Sequence, residues 1–64
     1  MNAARRKRLG EALDIMNEVL AEELEVLENL PDNFRCSAQG EQIEDCIMQL
    51  EEITGTLEDI TSNY

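Results

Sequence analysis

The chain has 64 residues, a formal net charge of −10, no histidine, two cysteines and one proline. That length bounds it to a single small domain, for which one core seldom supplies more than about 3–5 kcal/mol, so a disulfide, a metal or self-association is needed as a staple. The absence of histidine removes the usual base of a nucleophilic triad and the Glu-x-x-His ligand set of helical di-iron sites, and no apolar run approaches the roughly 18 residues of a membrane span.

The charge is unevenly distributed. Arg5, Arg6, Lys7 and Arg8 hold four of the five cations, and from Leu9 onward fifteen acids face Arg35 alone, a net of −14. Such a body is repelled by nucleic acid and favours basic protein surfaces. For the basic lead-in, three readings stand: a clamp on the acids Glu58 and Asp59 at the end of a second helix, a flexible tail, or a nucleic-acid contact.

Helix one is expected over about 3–30. Asn2 can cap it, good helix formers dominate, and Pro31 stops it. Its apolar residues Leu9, Ala12, Leu13, Met16, Val19, Leu20, Leu24, Val26, Leu27 and Leu30 cover a band wider than a strict coiled-coil seam, as a helix touching two neighbours would. Glu23 falls inside that band. It is a candidate buried charge that fixes register or receives a cation, or else a side chain that snorkels to water where the helices splay.

Residues 31–36 form the expected loop, with turn chemistry from Asp32 and Asn33. Phe34 either plugs the end of the bundle or presents a binding knob. Ser37 is the expected cap of helix two, over about 37–62, although Gly40 in its first turn is a poor helix former and could move the start to about residue 40.

Helix two contains three heptads, QIEDCIM, QLEEITG and TLEDITS, spanning Gln42 to Ser62. With the aliphatic position as a, Ile43, Leu50 and Leu57 fill a; Cys46, Ile53 and Ile60 fill d; and b and c always hold acids. The 3,4 spacing predicts a stripe buried against another helix. Gly55 lies at an outward f position and marks tolerance, a bend, or a close backbone approach. Two matched helices and a short loop predict an all-α fold: an antiparallel hairpin that self-associates into a helical bundle, a four-helix dimer above all. The residues expected to drive association are Leu13, Met16, Leu20, Leu27, Ile43, Leu50, Ile53, Leu57 and Ile60.

Catalytic motifs, a calcium loop and a glycine-rich phosphate loop are absent from the sequence, so no enzymatic activity, metal or cofactor is expected. Cys36 is expected to be a loop thiol and Cys46 a small core residue. About ten residues of helix separate them by roughly 15 Å, beyond the ~7 Å a disulfide spans. What remains is the strip Glu44, Asp45, Glu51, Glu52, Glu58 and Asp59, which is either a solubilising face or an anionic surface that docks on a basic protein.

The basic start ARRKRL, the helix ending AEELEVLENL, the connection NLPDNF, the SAQGE opening and the Leu-Glu-Glu-Ile and Leu-Glu-Asp-Ile heptads resemble a group of very short acidic proteins carried by phages and mobile elements of Gram-positive bacteria. The resemblance covers nearly the whole chain. It implies a helical hairpin of phage origin in the cytoplasm of a bacterial host, and a protein that binds and blocks or modulates a host factor. The alternatives are a self-assembling bundle with no foreign partner, and a nucleic-acid-associated protein using its basic arm.

Overall fold

A computed structural model describes all residues, Met1–Tyr64, as three helices without strands: α1 (Ala3–Asn29), a single turn α2 (Asp32–Arg35), and α3 (Ala38–Asn63). α1 and α3 pack against one another as a hairpin, and α2 packs on the start of α3. The loop expected at 31–36 thus contains one helical turn.

Local chemistry fixes each boundary. The Asn2 side chain accepts a hydrogen bond from the Arg5 amide at 2.9 Å, capping α1. Pro31 follows Leu30, whose extended backbone (ψ 134°) ends the helix. The Ser37 hydroxyl accepts from the Gly40 amide at 3.3 Å and donates to the Phe34 carbonyl at 2.5 Å, so α3 starts at Ala38 rather than slipping to residue 40. Arg35 donates from Nε and Nη2 to the Leu27 carbonyl at 3.3 and 3.2 Å. A cation on the last carbonyls of α1 complements the negative end of its dipole and ties the connection to the helix it leaves.

Gly40 is buried because the connection folds directly over it. A Cβ at this position would lie 2.5 Å from the Phe34 carbonyl oxygen and 2.7 Å from the Arg35 carbonyl carbon. The glycine that looks like a weak point in the first turn of α3 is what lets the turn close.

The seam between the long helices is a strict heptad on both sides. On α1 it runs Leu9, Leu13, Met16, Leu20, Glu23, Leu27 and Leu30, all half-buried; on α3 it runs Gly40, Ile43, Ile47, Leu50, Thr54, Leu57 and Thr61, all buried or half-buried. On α3 the seam therefore pairs a with e (Ile47, Thr54, Thr61), whereas the sequence pointed to a with d. The d residues Cys46, Ile53 and Ile60 are exposed. Both choices satisfy 3,4 spacing. The connection closing over Gly40, itself an e position, turns α3 so that e faces α1.

The hairpin is a rod, 48 × 15 × 12 Å, with a radius of gyration of 14.8 Å; a compact domain of this length would have about 11 Å. Ile47, at 6% exposure, is its one buried apolar side chain. The accessible surface is 4888 Å² for 7.3 kDa, against about 4,200 Å² for a typical folded monomer of that mass. The hairpin thus leaves roughly 700 Å² more surface wet than a monomer of its size normally does.

Candidate functional site

At about 100° of rotation per residue, the sides of α3 can be read outward from the seam. The b acids Glu44, Glu51 and Glu58 lie about a quarter-turn to one side, and the c acids Asp45, Glu52 and Asp59 lie at the back. All six are exposed. Successive acids in each row are seven residues, about 10.5 Å, apart. Gln49 donates from Nε2 to Asp45 Oδ2 at 2.9 Å, which steadies one carboxylate of the back row.

The remaining side of α3 carries no acid. It presents Cys46, Ile53 and Ile60, bordered by Gln42, Gln49 and Thr56, and Ile53 is 52% exposed. α1 has a matching row of Ile15, Val19 and Val26, with Ile15 61% exposed. Viewed from each helix's own N-terminus, both rows are displaced in the same rotational sense from the seam. Because the helices are antiparallel, that places both rows on one face of the hairpin. The acids that border this face are Glu22 and Glu23 on α1 and Asp45 and Glu52 on α3, which share grooves with Cys46, Ile53 and Ile60, and Arg8 lies at its edge in line with Ile15 and Glu22.

Of the residues expected to drive association, Leu13, Met16, Leu20, Leu27, Ile43, Leu50 and Leu57 are half-buried in the seam within the hairpin, while Ile53 and Ile60 lie on the open face. Ile15 did not figure in the expected apolar band, and its prominence comes from the row at 15, 19 and 26 that only the position of the seam reveals. Glu23 continues the α1 seam and is half-buried. It has no hydrogen-bond partner, yet no buried polar side-chain atom is left unpartnered, so its carboxylate oxygens reach water at the seam's edge.

Arg5, Arg6, Lys7 and Arg8 are exposed, and no hydrogen bond joins them to Glu58 or Asp59, so the clamp expected inside the hairpin is not made. Four consecutive residues point in four directions round a helix, and the two acids sit a quarter to a half turn away from the seam. Cys36 and Cys46 are both free and exposed, which places Cys46 on the surface rather than in the core. Phe34 is 46% exposed at the loop end.

The concavities are shallow grooves between side chains of one helix, such as that lined by Asp45, Cys46, Gln49 and Ile53, and each holds at most one carboxylate. No helix is long and apolar enough to cross a membrane. The fold defines a helical hairpin with one acidic and one apolar aspect. Comparison with family models, curated proteins and solved structures gives no match.

Proposed function

We propose that this chain is a non-enzymatic protein-binding module. Two copies pair into a four-helix bundle, and the outward acids Glu44, Asp45, Glu51, Glu52, Glu58 and Asp59 dock on a basic surface of a foreign protein, blocking or modulating it. The observation that carries this reading is the segregation of charge on α3: two rows of exposed carboxylates on its outer sides, and none on the side bearing Ile53 and Ile60. A merely solubilising charge would be free to spread over every exposed side. Like charges repeated along a helix destabilise it, so keeping them in rows has a cost that a ligand would offset. The resemblance to short phage and mobile-element proteins fits a host protein as the target.

Binding of this kind associates fast and weakens steeply with salt. The test is capture of host-lysate proteins on the immobilised chain at low and high salt, identification by mass spectrometry, and titration of the captured protein with purified chain. A basic partner whose affinity falls with salt and drops on replacing Glu44, Glu51 and Glu58 with Gln supports the reading; affinity unchanged by that triple substitution refutes it. The exposed apolar row of Ile15, Val19, Ile53 and Ile60 favours a second reading, a self-assembling bundle without a foreign partner, in which high salt leaves all interactions intact and the acids can be neutralised without loss.

A further inference from the structure

The apolar face of the hairpin has the size, charge and symmetry to be covered by a second copy in one particular way. Its length follows the overlap of α1 and α3, roughly 35 Å, and its width the two helix diameters, roughly 20 Å, giving about 700 Å² per copy and about 1,400 Å² in a dimer. That is a standard stable interface, and it equals the surface the lone hairpin leaves in excess. Electrostatics select the face. Two bodies of charge −10 repel most through the sides that carry the rows of acids, whereas the centre of this face holds only apolar side chains, with acids confined to its borders and the cation Arg8 at its edge.

The charge order along α1 selects the orientation. Cations occupy positions 5–8 and acids run from Glu11 to Glu28. Laid antiparallel on its own copy, the basic end of each α1 meets the acidic half of the other, and the helix dipoles oppose favourably. Arg8 and Glu22 lie seven residues to either side of Ile15, on one line of α1, and Ile15 is one residue from the middle of the Ala3–Asn29 helix. We propose that two hairpins pair face to face through a two-fold axis at Ile15, α1 on α1 and α3 on α3. Arg8 of each copy then pairs with Glu22 of the other, and Ile15, Val19, Ile53 and Ile60 form the core. The axis crosses α3 near its own middle, by Leu50 and Ile53. This arrangement rests on the self-pairing part of the function proposed above, and it gives the unpaired cation Arg8 and the exposed carboxylate of Glu22 a common use. An isologous contact makes every such pair twice.

The test is cross-linking at the axis. In a chain carrying Cys36→Ser and Cys46→Ser, the substitution Ile15→Cys places two thiols at the same level across the axis, within disulfide reach. Mild oxidation should convert nearly all of it to a covalent dimer. If the helices instead stack α1 on α3, the two thiols lie diagonally across the bundle and no disulfide forms. Sedimentation of the reduced protein separates the failures: a dimer that does not cross-link overturns the register while sparing self-pairing, and a folded monomer at micromolar concentration overturns both. Charge reversal gives an independent readout that leaves the helices intact. Arg8→Glu or Glu22→Arg alone should each raise the dimer dissociation constant about tenfold, from two solvent-exposed pairs lost at once. Combining Arg8→Glu with Glu22→Arg should return it to within a few-fold of the parent; an additive loss in the double variant overturns the pairing.

Discussion

Replacing Gly40 with alanine isolates the physical reason for the shape of the connection. In an ordinary helix the change is favourable by up to about 1 kcal/mol, because glycine loses more backbone entropy on folding. At this position the added Cβ would stand 2.5 Å from the Phe34 carbonyl oxygen and 2.7 Å from the Arg35 carbonyl carbon. Both are backbone atoms, so no flexible side-chain tip can yield. The connection would have to move by several tenths of an ångström, straining the bonds that Ser37 makes to the Phe34 oxygen through its amide (3.1 Å) and its hydroxyl. Overpacking of this kind costs about 1–3 kcal/mol, and after the helix gain a net loss of about 1–2 kcal/mol remains. For a domain of this size that lowers Tm by about 5–15 °C. The measurement is thermal denaturation followed by circular dichroism at 222 nm. Protein concentration must be held fixed, because association makes Tm concentration-dependent. A Gly40→Ala variant melting at or above the parent would refute the close packing of the connection over the first turn of α3.

The other two glycines should respond in the opposite sense. A Cβ at Gly10 or Gly55 meets nothing within 4 Å, so Gly10→Ala and Gly55→Ala should each stabilise by up to about 1 kcal/mol in the same melt; a loss at Gly55 would instead indicate a close backbone approach in the assembled form. Ser37→Ala removes the α3 cap and should cost about 1 kcal/mol, with faster amide exchange across the first turn of α3 as the local signature. Thr54 is 6% exposed and its hydroxyl is spent on the Glu51 carbonyl one turn back, at 3.0 Å. Thr54→Val keeps the branched shape and should raise stability by about 0.5–1 kcal/mol; a lower Tm would show that the hydroxyl holds the helix in place.

Most of the hairpin was legible in the chain because its boundaries are chemical. Asn2, Pro31 and Ser37 each do one recognisable job, and the heptads of α3 announce a partner helix. The choice between two adjacent stripes was not legible. Ile43-Cys46-Leu50-Ile53 and Ile43-Ile47-Leu50-Thr54 have the same spacing, and composition favours the first. A tertiary constraint, the connection closing over Gly40, decides for the second and leaves the more apolar row outside. The rows of acids on α3 were visible from sequence alone, whereas the acid-free face appears only once the seam is placed, since Ile15, Val19 and Val26 share no register with Cys46, Ile53 and Ile60 until the helices are antiparallel neighbours.

With Ile47 the one apolar side chain sheltered from solvent, the isolated hairpin has no interior region where an amide proton could be shielded through anything but its own helical bond. Slow hydrogen exchange, where it occurs, would belong to the assembly and not to the single chain. Diluting the sample would then shorten exchange lifetimes along both long helices together, so protection against deuterium becomes a gauge of how many copies have met.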